Sequence, residues 1–398
     1  MLIGSLGAFG SFINLHLEQV VGLTGSQIGF VTFIGLVVTV VMNPIWGYIA
    51  DKSGKHTLLL KMAFFAAVAV GTLYFSSRNF FMIVIVVILF EGLRAPMVPM
   101  MEYLSTNYAD KYHYDFGKIR VYASWGFMLI AMASGFMVAG LEFEIFGHSL
   151  AFTGFMSLEF AAFGIFIIMN FLALILCFSL PKPEQKGDPV TTVKKKAFGK
   201  KDVKELLTNQ RFVFILVLTM FGFMVLESAW GYATMHLVTV LEASESIVSW
   251  LAFFMVAPEV VILPLGTILM LKTGFKNWYI LSLITMIGRL LVYSFATSPM
   301  VFAFGGMVHG LMIVMHITGT IAYIRRVVEP RTLGLALTIL ASSMALSRAL
   351  FSFAFGWVYE NISSFAVFQI AAGIVLLALI MAVKSKHLKT VGDEIGVA

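Results

Sequence analysis

Apolar runs of about 20 residues recur along the chain, each bounded by a short polar cluster, and a run of that length crosses a hydrocarbon core of roughly 30 Å as a helix. The runs are continuous and do not alternate, which excludes the strands of a membrane barrel. The pattern predicts twelve spans, at 1–21, 26–50, 57–77, 79–108, 117–140, 159–180, 211–240, 246–271, 276–297, 299–324, 332–358 and 362–384. The expected fold class is therefore an all-α membrane protein with twelve transmembrane helices. Residues 181–210 form the longest polar stretch and divide the chain into a six-helix half at 1–180 and a second at 211–384, with a tail at 385–398. Pro44, Lys52 and Gly54 after span 2 recur at the same spacing as Pro264, Lys272 and Gly274 after span 8, as parallel six-helix repeats would require.

Charge orients this arrangement. Of the 27 basic residues, 22 fall in the connections after spans 2, 4, 6, 8 and 10, in the tail, or at the span ends beside them. Four lie inside spans and Arg78 alone faces the other way, together with Glu142, Glu144, Glu242, Glu245 and Glu360. Basic residues stay on the cytoplasmic side, so both termini are expected there, in a multi-pass plasma (inner) membrane protein. The lysine-rich 181–210 stretch reads as an orientation-setting linker with a short surface helix; an anionic-lipid contact is the functional alternative. No basic leader or small-residue cleavage site precedes the first apolar run.

Composition agrees and removes other classes. Among 398 residues, 60% are hydrophobic and 12% charged, with mean hydropathy +0.93, outside the range of soluble domains. The net charge of +6 is accounted for by its placement and calls for no nucleic acid. The single cysteine, Cys177, cannot form an internal disulfide. The sequence contains no metal-ligand cluster and no phosphate loop, so no cofactor is expected.

Candidate chemistry lies in the charges inside spans, because an ionisable group in a bilayer is costly and marks function. These are Glu91, Arg94, Glu102, Arg120, Glu227, Glu259, Arg289 and Arg348, with His309 beside them. Glu91 and Arg94 are three residues apart and satisfy each other. Glu102 and Arg120 flank a polar turn near Lys111, each about nine residues from it, which sets both at roughly 13 Å depth and lets them pair. A carboxylate and a guanidinium facing a cavity suit a polar, hydroxyl-rich solute; a structural ion pair is the plainer alternative. Arg348 serves either the cavity or a snorkelled position.

The loop after span 2 reads Gly47-Tyr-Ile-Ala-Asp51-Lys52-Ser-Gly54-Lys55-His56. It resembles the G-x-x-x-D-[RK]-x-G-[RK]-[RK] signature of the major facilitator superfamily, with His56 at the last basic position. The resemblance implies alternating access, with Gly47, Asp51, Lys52, Gly54 and Lys55 at a cytoplasmic gate. Further along, Pro99-x-x-Glu102, Asp115-Phe-Gly117-Lys118-Ile-Arg120 and Gly126-Phe127 resemble the lactose permease / oligosaccharide:proton symporter branch. That resemblance implies that Glu102 and Arg120 bind sugar hydroxyls, with Phe127 where the branch stacks a tryptophan. In the second half, Lys276-Asn277, Arg289, His309 and Tyr359-Glu360 match in order, which implies that Arg289 and His309 belong to a proton-coupling and substrate network. Two positions depart. Met312 stands where the branch has an essential acid, and Val256 where it has a glutamate, leaving Glu259 one turn on. Glu227 and Glu259 then remain to couple protons or complete the site.

The expected function is proton-coupled uptake of a sugar or oligosaccharide by a monomer, with protons, a small polar solute and membrane lipids as its partners. Phenylpropionate-type and nucleoside symporters share the branch, so a nucleoside or aromatic-acid symporter, or an exporter of amphipathic compounds, is the alternative. A membrane-embedded enzyme would need an arranged nucleophile or metal site, which the sequence lacks. A non-transporting sensor would keep the fold without flux.

Overall fold

The computed structural model describes residues 1–112, 116–145, 148–179 and 200–388. Most of the expected linker, Asp115 and the end of the tail lie outside these, as do the side chains of Asp51, Lys118 and Arg120. The first group of helices comprises α1 (Leu2–Gln19), α2 (Gly25–Ser53), α3 (His56–Ser76), α4 (Phe80–Arg94), α5 (Met97–Tyr112), α6 (Phe116–Ala139) and α7 (Ile165–Phe178). The short α8 (Lys200–Thr208) precedes a second group, which begins with α9 (Gln210–Phe221), α10 (Phe223–Trp230), α11 (Ala233–Met235), α12 (Ser246–Thr273) and α13 (Phe275–Phe295). It continues with α14 (Pro299–Phe304), α15 (His309–Val314), α16 (Thr320–Val327), α17 (Leu333–Asn361) and α18 (Ser364–Lys384). Among the described residues nine helices are long and apolar enough to cross a membrane.

The boundaries follow local chemistry. Thr24 caps α2 through a capping box with Gln27, and Gly54 ends it in the left-handed conformation at φ 64°, which glycine adopts without strain. Asn79, Asn209 and Ser363 cap α4, α9 and α18 with side-chain oxygens.

Three expected spans are interrupted. Pro96 has no N–H and restricts the residue before it, which separates α4 from α5. Gly222 breaks α9 from α10. In the 299–327 rod, 3-10 geometry at Gly305–Val308 and a π turn at Met315–Gly319 interrupt the helix on either side of α15. The described spans are helical as expected, but the connection after α6 adds an antiparallel hairpin, Leu141–Ile145 paired with His148–Phe152. The expected surface helix is α8, whose Asp202 and Glu205 both accept from Arg331.

Packing depends on small residues, because lipid supplies no hydrophobic drive between helices. A Cβ on Gly7 of α1 would strike the Phe127 backbone of α6. Gly25, Gly29 and Gly356 bring α2 and α17 equally close, and Gly310 brings α15 onto the Glu259 backbone of α12. In the first group Phe9, Tyr74, Phe90, Phe163 and Phe166 form one aromatic knot with ring centroids 4.9 to 6.3 Å apart. In the second, Tyr293 stacks on Phe302 at 3.9 Å, and Phe368 closes edge-on.

Candidate functional site between the two helix groups

At one end of the bundle the two groups are tied together. The Glu18 carboxylate, at the end of α1, accepts from Tyr359 on α17 at 2.9 Å and from Thr239 at 2.7 Å. The Ser26 backbone N–H donates to Glu360 at 2.9 Å, Asn14 donates to the Gly231 carbonyl, and Ser249 on α12 donates to Met132 on α6 at 2.6 Å. Deeper in the bundle Ser124 on α6 donates to Glu259 on α12 at 3.1 Å. Ser124 lies eight residues from Met132, or about 12 Å deeper. Towards the opposite end α2 and α6 emerge, with Val41, Tyr48 and Tyr122 exposed. The structure is thus shut at the mouth that carries Glu18 and Glu360.

Glu18 could have been suspected as an acid at a span end, but its partners lie more than 200 positions away. Replacing Tyr359 with Phe removes one of its two bonds, worth about 1 kcal/mol. The expected result is a roughly fivefold rise in the open-mouth population. Alkylation of a Ser249→Cys reporter by an impermeant maleimide measures it; an unchanged rate would show the latch to be incidental.

The structure gathers the second-group candidates. Arg289 on α13 is buried, its Nε donating to the Tyr293 hydroxyl at 3.0 Å and its Nη1 lying 2.8 Å from His309 Nδ1. Its guanidinium lies over the Trp230 ring at 5.3 Å. Glu227, one turn before Trp230, is half-buried, and no described residue donates to it. Its neighbour Ser228 donates to the Arg348 backbone carbonyl at 3.1 Å, placing α10 against α17. Glu259 abuts Gly310, the residue after His309, and accepts from Ser124, one turn before Phe127. Trp230 and Tyr293 carried no sequence signal, being two aromatics among many.

The first-group candidates are less concentrated. Phe127 is half-buried, its backbone against Gly7, while Trp125 is exposed. Glu102 is exposed on α5 and not buried in the packed helices. The Arg120 side chain, its expected partner, lies outside the described residues. Glu91 and Arg94 do pair, at 2.7 Å, with Thr39 reaching the same carboxylate. At the far end of α2, Gly47 meets no neighbour, Lys52 lies over Tyr48 at 5.6 Å, and Lys55 is exposed; the Asp51 side chain is outside the described residues. No group of three or more metal-ligating side chains occurs among the described residues.

A helical bundle with charges along an interior seam and one mouth shut has the form of a membrane transporter. The chain belongs to the MFS_1 like family, whose model matches residues 1–370, and is a multi-pass transporter of the major facilitator type. It is 23% identical over 389 residues to the uncharacterized transporter YwbF of Bacillus subtilis (strain 168), covering 96% of this chain and 91% of that protein. It is 24% identical over 219 residues to the maltose permease of Geobacillus stearothermophilus, 55% of this chain and half of that one. Among solved structures, a mutant of the nucleoside transporter NupG has the same fold, with TM-score 0.79, 15% identity and 96% of each chain covered. A bacterial homolog of the human lysosomal transporter Spinster, inward-facing and unoccupied, superposes with TM-score 0.61 at 14% identity, over 99% of this chain and 95% of that one.

Proposed function

We propose that the protein is a proton-coupled uptake transporter for a sugar or oligosaccharide, working by alternating access. The observation that carries the reading is the buried Arg289–His309 pair, set one residue from the Gly310 contact with Glu259, whose carboxylate meets the first helix group at Ser124. A charge network spanning the seam can change its bonds when the groups rock, which is what coupling requires. Glu102, Arg120 and Phe127 bind the solute, Glu227 and Glu259 complete the site or carry protons, and the 47–55 segment gates the far mouth. The likeness to a maltose permease over part of the chain supports a sugar.

The same reading holds twelve spans in two six-helix halves, 1–180 and 211–384, joined by the 181–210 linker, with the 385–398 tail and both termini cytoplasmic. The shut mouth is then the outer one. The protein acts as a monomer in the inner membrane. An apolar groove of about 400 Å³ lined by Trp46, Lys61, Phe65, Leu174 and Phe178 suits a lipid chain there. A nucleoside or aromatic acid is the second reading, favoured by Phe127 at the stacking position and by Trp230 against Arg289.

Proteoliposomes with an alkaline interior should accumulate labelled maltose, lose the gradient-driven part to a protonophore, and lose uptake with Glu102→Gln. Accumulation of uridine or phenylpropionate, but not maltose, would select the second reading. Protonophore-insensitive uptake would falsify coupling.

A further inference from the structure

One face of α13 carries Tyr279, Ser282, Met286, Arg289 and Tyr293, all buried. Spacings of three and four residues stack them in one line along the helix. The facing rod presents His309, Met312, His316 and Thr320, also all buried. Arg289 against His309 at 2.8 Å, and the Tyr279 and His316 rings with centroids 4.9 Å apart, set these two rows in antiparallel register. The seam therefore has three levels. The first is the Arg289–His309–Tyr293 network, the second is Met286 and Met312, and the third is Tyr279, Ser282, His316 and Thr320.

The first and third levels differ in how far their polar atoms are met. Arg289 and His309 bond each other, and only Arg289 Nη2 is left there without a partner among the described residues. At the third level both ring nitrogens of His316, the Tyr279 hydroxyl, Ser282 Oγ and Thr320 Oγ1 are buried with no hydrogen-bond partner among the described residues. Tyr279 approaches Thr219 without a well-formed bond, and the Thr219 hydroxyl donates to the Ile215 carbonyl instead. Buried polar atoms in native proteins are satisfied by protein or by ordered water. Five of them on four neighbouring side chains supply the two to four partners that an internal water needs. The backbone departs from α-helix at the same place, in the Met315–Gly319 π turn that holds His316, a distortion that recurs at functional positions.

The bonding of His309 assigns the proton elsewhere. A guanidinium only donates, so His309 Nδ1 accepts from Arg289 and cannot carry a second proton while that bond stands. His316 is under no such restraint. It lies flat on Phe223 at 4.9 Å and edge-on to Tyr279, with both nitrogens buried and unbonded among the described residues. Among the described residues the other ionisable groups on neighbouring elements are Lys276, Tyr279 and Arg289 on α13, His309 on α15, and Tyr323, Arg325 and Arg326 on α16, where Tyr323 stacks on Phe275. Glu227 lies one turn beyond Phe223 on α10, and Glu259 on α12 lies at the level of Gly310. No described carboxylate pairs with His316.

We propose that Tyr279, Ser282, His316 and Thr320 enclose an internal hydrated site in which His316 is the proton-carrying group. It lies seven residues, or about 10 Å, beyond His309 along the rod. His316 takes a proton from water at one ring nitrogen and returns one from the other, with no change in electron count. Met286 and Met312, unbranched and adaptable, form the apolar step that separates this site from the cavity. The coupling role rests on the reading of the protein as a proton symporter; the hydrated site does not.

Two measurements test it. In full-length protein carrying ring-15N histidine, the resonance lost in both His316→Gln and His316→Phe should exchange with water throughout a scan from pH 5 to 8. A single neutral tautomer without water exchange across that range would overturn the hydrated site whatever the transport results. In proteoliposomes probed with maltose and uridine, His316→Gln should lose pH-driven accumulation to the level of empty vesicles. It should keep solute counterflow, which needs no net proton movement. Ser282→Ala with Thr320→Val should shift the pH profile of uptake. Full accumulation in His316→Gln would overturn the proton role. If the unsubstituted protein exchanges solute but accumulates none, the symport reading fails and the water-exchange measurement alone decides the site.

Discussion

Replacing Gly356 with leucine is expected to hold the Glu18 mouth open. A Cβ there would lie 2.8 Å from the Tyr232 hydroxyl and closer still to the Gly25 carbonyl. Backbone cannot yield as a flexible side chain does, and a leucine adds three more carbons. Overpacking of this kind costs about 1–3 kcal/mol, often more where backbone is struck. Two transporter conformations differ by only a few kcal/mol, so that cost is enough to reverse their populations. Separating α2 from α17 also breaks Ser26–Glu360 and Tyr359–Glu18. The measurement is alkylation of Ser249→Cys, buried between α12 and α6, in a Cys177→Ser background. Rapid labelling in Gly356→Leu and protection in its parent is the expected pattern. Protection in both would mean that the glycine seam does not hold the mouth shut.

The second large effect is expected at Arg289. Truncation to alanine leaves His309 Nδ1 and the Tyr293 hydroxyl without their partner and removes a cation from the face of Trp230. Losing two charge-assisted bonds in a buried site costs about 2–4 kcal/mol. Detergent-solubilised Arg289→Ala should unfold at clearly lower temperature, and its pH-driven solute uptake should vanish. Lysine keeps the charge but not the planar fork, so it can reach the histidine or the tyrosine but not both. Arg289→Lys should therefore recover much of the stability and little of the transport. Equal recovery of both would reduce Arg289 to a structural role.

These positions differ in how much of them could be read in advance. Arg289 stood out because charges are scarce inside apolar spans, and the resemblance placed it with His309 in one network, but that the two bond each other was not read from the sequence. The Gly356 seam could not be read, since this chain has 34 glycines and nothing local separates one at a helix crossing from one facing lipid. Glu102 was expected to face a cavity beside Arg120 and lies exposed on α5, a direction that depth along a helix does not specify. The interruptions follow the same division. Pro96 accounts for the α4–α5 break, although the apolar pattern was read as one span across it at 79–108, whereas the π turn at His316 leaves no mark in composition.

The chain by itself determined a helical membrane protein of the major facilitator type and the identity of its rare intramembrane charges. Each of these depends on residues within one helical turn or on the cost of placing a charge in lipid, so local sequence suffices. Only the tertiary structure decided which mouth is shut, that Glu18 meets Tyr359 across 341 positions, and that His309 is bonded to Arg289 while His316 has no hydrogen-bond partner among the described residues. Those facts depend on how two groups of helices are rotated against each other, and helix rotation is set by the summed packing of many contacts.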